Sequence, residues 1–210
     1  MISNRMKVLI GTPIHEVKDY SMERWLENVS KLEHPADLLL VDNSPGLDYV
    51  KKVKGYCVKY GIKKYEIKHL ELPPEQQVFE RVARSREVIR QYVLISDYDA
   101  WFSWESDQLI PNNSLDVLIK IMESENFQIA SHDTWTREDP DLPLDELFGT
   151  TLIKREALKK HGFILEFGTD PEMPDTWELS EKWFRKRVLR DGGSSIEAEG
   201  VLKPTYHLSE

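Results

Sequence analysis

Cysteine is almost missing from this chain. Cys57 is the single thiol in 210 residues, which excludes an internal disulfide and a cysteine-built zinc site, and it suits a reducing, cytoplasmic setting. Long hydrophobic runs are missing too. No apolar stretch approaches the length of a membrane span, and residues 1–7 lead into a strand without a signal-peptide pattern, so no transmembrane segment is expected. A basic excess is also lacking: 28 Lys and Arg against 37 Asp and Glu leave a formal charge of −9, which speaks against nonspecific nucleic-acid binding. Glycine-rich phosphate loops are absent, with Gly11 alone in its loop, which argues against a nicotinamide or flavin cofactor. There is no internal repeat and no low-complexity segment.

What remains is ordinary globular material, 40% hydrophobic and 31% charged, long enough for one domain with a substantial core. Residues 7–13 form an apolar run closed by Gly11 and Pro13, read as a first buried strand. Residues 21–32 place Met22, Trp25, Leu26, Val29 and Leu32 at helical spacing. A second buried strand, 37–44, ends in Asp42. A lysine-rich helix over 47–60, a weakly alternating strand over 65–72 and a long helix from Pro73-Pro74 to about Gln91 follow. Next comes the apolar, β-favouring run 92–95, read as a fourth strand.

That alternation predicts an α/β fold, a Rossmann-like domain with a mostly parallel central sheet flanked by helices. Ligands of such sheets bind beyond the carboxyl ends of the strands. Thr12-Pro13, Asp42 and the Asp97-Tyr-Asp99 pair would all sit there. Two converging carboxylates after a buried strand ask for a hard divalent cation, although solvated loop acids capping the next helix would have the same sequence.

Downstream, residues 101–113 read as a loop rich in Trp, Phe, Ser and Asp. Helices are expected at Ser114 onward, before Gly162-Phe163, and over 178–189, with strands at 127–130 and 148–153 and one or two within 195–207. Residues 135–146 and 168–174 lack apolar periodicity and read as mobile loops.

The chain resembles the inverting GT-A glycosyltransferases of the family-two type. Residues 7–13 are similar to the family's first strand, 38–43 to its second, Arg81-Val-Ala-Arg-Ser-Arg86 to the helix before the metal motif, and Asp97-Tyr-Asp99 to its Asp-x-Asp. The segment 148–155 with Gly162-Phe163 is similar to the acceptor side, 180–193 to the helix carrying the catalytic carboxylate, and Tyr206-His207 to a terminal metal-binding His.

The resemblance implies a single GT-A domain over 1–210, with a nucleotide-binding half (1–100) and an acceptor-side half (101–210). It implies an enzyme moving a sugar, with inversion, from a UDP- or GDP-linked donor to a glycan, lipid or protein hydroxyl, using Mn²⁺ or Mg²⁺. Asp97, Asp99 and His207 would hold the metal, and Thr12, Pro13, Asp42, Arg84 and Asp97 the nucleotide sugar. Glu181, Glu178 and Asp175 compete for the base. Glu181 is preferred by its spacing to Gly192-Gly193, and Lys182, Arg185 and Arg187 should keep it ionised.

The chain departs from the family in having Glu181-Lys182 for its acidic pair and an aromatic loop after Asp99. It stops three residues after His207, so no accessory or anchoring segment is expected. The alternatives are a sugar nucleotidyltransferase, whose Gly-rich basic loop after the first strand is lacking, and a non-catalytic nucleotide-sugar or glycan-binding module.

Overall fold

The computed structural model describes residues 5–132, 148–203 and 205–209. Its centre is a seven-stranded sheet in the order β3-β2-β1-β4-β7-β6-β8. The strands are β1 (Val8–Ile14), β2 (Asp37–Asp42), β3 (Tyr65–His69), β4 (Ala100–Trp104), β6 (Ile129–His132), β7 (Thr150–Lys154) and β8 (Ser195–Ala198). Only β7 runs against the others. A two-stranded ribbon pairs β5 (Gln108–Leu109) with β9 (Tyr206–His207). The α/β architecture expected from the alternation is present, and one sheet runs through both halves of the chain.

Alternate residues of the sheet feed two cores, as the pleat requires. Val8, Ile10, Leu38, Leu40, Phe102 and Trp104 pack under α1 (Asp19–Ser30), α2 (Asp48–Lys59) and α4 (Ser114–Ser124). Leu9, Leu39, Val41, Trp101 and Ile153 face α3 (Val78–Ile95), α5 (Arg155–Lys160) and α6 (Ser180–Arg190). At Gly11 the helix α3 approaches β1 so closely that a Cβ would overlap Ile89 and the Trp101 indole. Trp101 Nε1 donates to the Gly11 carbonyl at 3.0 Å.

One element differs from its sequence reading. The run 92–95 is the last turn of α3, not a strand. Along it Val93 is fully buried while Ile95 is 80% exposed, a one-sided pattern that continues Ala83, Arg86 and Ile89 at helical spacing. The fourth strand comes later, within the segment read as a loop: all five residues of Ala100–Trp104 are buried, and the strand lies between β1 and β7. Trp101 and Trp104 are core side chains.

Asp97 and Asp99 therefore precede β4 instead of following it. Asp99 continues the ladder to β1 at its amino end, donating its N–H to the Lys7 carbonyl at 2.8 Å while its Oδ2 accepts the Lys7 N–H at 2.8 Å. Of the two segments read as mobile, 135–146 lies outside the described residues. The other is a series of hydrogen-bonded turns tied to α6 by Arg190 and Asp170, 2.7 Å apart.

Candidate active site

The carboxyl ends of β1, β2 and β4 open into a cleft of about 200 Å³, walled by the first turns of α3 and by the 3₁₀ turn Glu16–Lys18. Pro13, Ile14, Val78 and Val82 supply its apolar wall, and His15, Lys18, Arg81, Arg86 and Glu105 its polar one. The concentration of cations stands out in a chain of formal charge −9.

Beyond β4 the backbone makes a tight turn, with Gln108 N donating to the Glu105 carbonyl at 3.2 Å. This turn presents Glu105 and Ser106 at the cleft, with Asp107 just behind them. Asp107 Oδ2 lies 2.9 Å from Lys18 Nζ. Its Oδ1 is buried without a hydrogen-bond partner among the described residues. Burial works against the Lys18 charge, but Glu105 and Asp107 outweigh it and hold the ammonium above its usual range. Gln108 Nε2 stands 3.3 Å from Glu105 Oε2 and 3.2 Å from His207 Nε2, so the β5–β9 ribbon brings the C-terminal histidine to the acidic turn.

Arg86 joins this turn to α6. It is 4% exposed, pairs with Glu181 and lies 3.8 Å from Glu105. Glu181 lies in the first turn of α6 and accepts the Phe148 N–H at 3.0 Å. Burial raises the Glu181 carboxyl above its usual range; Arg86 opposes this, and the Glu105 charge adds to it. The expectation that neighbours on its own helix keep Glu181 ionised is thus corrected. Arg185 turns to Glu197 and Ser131, at 3.0 and 2.6 Å, and Arg187 to the Gly162 carbonyl at 2.5 Å. Its counter-ion comes from α3 instead.

The expected site residues divide between the two edges of the sheet. Pro13 lines the cleft. Thr12 ends inside the sheet, donating to the Trp104 carbonyl at 2.7 Å. Asp42 is fully buried, one oxygen accepting from the Ser44 hydroxyl at 2.6 Å and the other facing His69 Nδ1 at 2.7 Å. Its neighbour Asn43 reaches the cleft in its place. Arg84 pairs with Glu80 at 2.7 Å, outside the lining. Asp175 and Glu178 are exposed. Asp97, its side chain 81% exposed, pairs with Lys7. Asp99 borders a separate polar depression with Lys154 and Arg155. Glu105 lies six positions after Asp99, which along an extended strand is about 20 Å.

Glu105, Asp107, Arg81, Arg86, His15 and Lys18 were not among the expected site residues. The signal for the first two was present: Glu105-Ser-Asp107 is also an acid-x-acid following an apolar run.

No family model and no curated protein matches the sequence. The fold does match solved structures. A mannosyltransferase from Pyrobaculum calidifontis, solved with GDP-Man and Mn²⁺, superposes with a TM-score of 0.70 at 13% identity, over 95% of this chain and 56% of that one. TarS 1–349 of S. aureus, solved with UDP-GlcNAc, gives 0.69 at 13% identity over 98% of this chain and 59% of that one. Glucosyl-3-phosphoglycerate synthase of Mycobacterium tuberculosis, solved with Mn²⁺, UDP and glucosyl-3-phosphoglycerate, gives 0.61 at 12% identity, over 98% and 73%. This chain therefore spans little more than half the length of the first two. The likeness is one of fold, and the fold is the GT-A fold of nucleotide-sugar glycosyltransferases.

Proposed function

We propose that the chain is a metal-dependent glycosyltransferase, moving a sugar from a UDP- or GDP-linked donor to a hydroxyl acceptor with inversion. One observation carries the reading. His15 Nε2, Arg81 Nε, Arg86 Nε, Ser106 Oγ, Asp107 Oδ1 and Gln108 Oε1 are all buried without a hydrogen-bond partner among the described residues, and all belong to the cleft or its acidic turn. Native proteins leave few such groups unsatisfied, so a cluster of them marks the place of a polar ligand. Its position at the strand carboxyl ends is where α/β sheets take ligands. The neighbours' GDP-Man, UDP-GlcNAc and UDP support the ligand class.

The metal fits the acidic turn better than Asp97 and Asp99. Asp107 Oδ1 is free to coordinate, Glu105 is 36% exposed at the side chain, and the His207 imidazole is adjacent. Among the described residues no three His, Cys, Asp or Glu side chains converge to hold a metal ion, so the protein itself offers at most two ligands at once. An open set of one or two carboxylates, completed by substrate phosphates, is how Mg²⁺ is usually held, and an imidazole would extend the choice to Mn²⁺. When bound, the ion supplies Lewis-acid stabilisation of the leaving diphosphate. Arg81 and Arg86 offer charged donors to the same phosphates. The wall of Pro13, Ile14, Val78 and Val82 suits a flat nucleobase, and Asp42 supports the loop beneath it through Ser44. Glu181 takes the proton from the acceptor hydroxyl as the sugar is displaced in a single step. The buried Cys57 fits a cytoplasmic setting.

The pairing of Arg86 with Glu181 also allows a non-catalytic nucleotide-sugar module, since the base is occupied in the free protein. Thermal-shift screening of UDP- and GDP-sugars with Mn²⁺, followed by assay of donor hydrolysis and transfer, separates the two. At a hundred times Kd, a bound donor stabilises by about 2.7 kcal/mol. Asp107→Asn should abolish the Mn²⁺-dependent part of that shift, whereas Asp99→Asn should leave it unchanged; the reverse pattern would return the metal to the other sheet edge.

A further inference from the structure

The charge of the acidic turn is already answered from within the chain. Lys18 arrives from the turn after β1 and places Nζ 2.9 Å from Asp107 Oδ2, beside Glu105, with its side chain 41% exposed. A divalent ion on Asp107 would stand within a few ångströms of that ammonium. Both cations would then draw on one carboxylate while repelling each other. The flexible stem and partial exposure of Lys18 let it move away, and an anion entering the cleft would compensate for the lost pair better than water does.

We propose that Lys18 is a resident counter-ion that keeps the divalent metal out until a nucleoside diphosphate enters, and that it then transfers from Asp107 to the diphosphate. Metal and nucleotide thus bind as a coupled pair, each raising the affinity of the other by the same factor, as linkage requires. The inference rests on the metal role of Asp107 proposed above. It adds an order to the filling of the site: an ion without a nucleotide meets an occupied carboxylate. Such coupling holds the metal back from an empty cleft and places it when there is a diphosphate to neutralise.

Calorimetric titration of Mn²⁺ into the full chain, alone and with saturating UDP or GDP, tests this. In the unmodified protein nucleotide should tighten Mn²⁺ binding by about tenfold or more, within the usual range of coupling between sites. Lys18→Met should bind Mn²⁺ alone about tenfold tighter than the unmodified protein, with most of the nucleotide effect gone, and Lys18→Gln should behave in the same way. Lys18→Arg keeps the charge and should keep the coupling. Unchanged or weaker Mn²⁺ binding in both Lys18→Met and Lys18→Gln, with binding lost in Asp107→Asn, would overturn the counter-ion role and leave the metal site standing. If no form binds Mn²⁺ even with nucleotide, the metal site itself is wrong and the proposal falls with it.

Discussion

At the scale of the residue, the proposed transfer depends on Glu181. Its carboxyl is raised above the ordinary range near 4.5 by burial and by the Glu105 charge, against the pull of Arg86. A base must be deprotonated to act, so the acid limb of the pH–rate profile should lie above the ordinary carboxylate range. Glu181→Gln retains size and hydrogen bonding but cannot take a proton. Turnover should fall by about a hundredfold or more, with nucleotide affinity held within about twofold, the signature of an interaction made in the transition state. Asp175→Asn and Glu178→Gln, both at exposed positions, should leave turnover near normal. Kinetics of the three variants over a range of pH check this, and collapse in either exposed variant would move the base there.

At the scale of the element, α3 does two things. Its amino half carries Arg81 and Arg86 to the cleft, and its middle locks onto β1 at Gly11. The missing side chain at Gly11 is what allows Ile89 and Trp101 to meet over the strand. Gly11→Ala should push the helix outward, destabilising the fold by about 1–3 kcal/mol, the usual range for overpacking. Urea denaturation measures it. A larger room-making substitution such as Ile89→Ala in the same chain should recover part of the loss, because the new methyl would then occupy vacated space.

At the scale of the whole molecule, two histidines, His161 buried and His15 half-buried, contribute to the response to acid. His161, edge-on to Phe184, is held below the usual 6.5 by burial and by Arg187, and His15 by burial and Arg81. A depressed folded-state pKa means that the unfolded chain takes up the proton first. Their contribution is complete above about 6.5 and is lost as pH falls through the folded values. Glu181 runs the opposite way: its raised carboxyl stabilises most at low pH, and that contribution fades as pH climbs through its folded value. The melting temperature should fall between pH 7 and 5, and His161→Gln should flatten that fall. Identical pH slopes for the variant and the unmodified protein would remove His161 from the account.

The order of strands and helices up to α3, and hence a parallel sheet with its cleft at the strand carboxyl ends, was determined by the sequence alone. Apolar runs ending in Gly-Thr-Pro or in Asp, separated by helical periods, allow few other arrangements. Glu181 was singled out by its spacing to Gly192-Gly193, and the structure pairs it with Arg86, which lines the cleft. His207 was legible as a residue, but its neighbourhood was not. Tertiary structure decided which acidic pair stands beside the cleft. A four-residue apolar run such as 92–95 fits the end of a helix as well as a strand, because so short a stretch cannot display its period. The choice came from packing: Ala100–Trp104 is buried along its whole length between two strands, leaving 92–95 to finish α3. That boundary moved Asp97 and Asp99 to the amino edge, delivered Glu105 to the cleft and set Asp107 against Lys18 beside it. Arg86, Lys18 and the unpartnered atoms around them are set by contacts between segments far apart in the chain, and such contacts exist only once the sheet has closed.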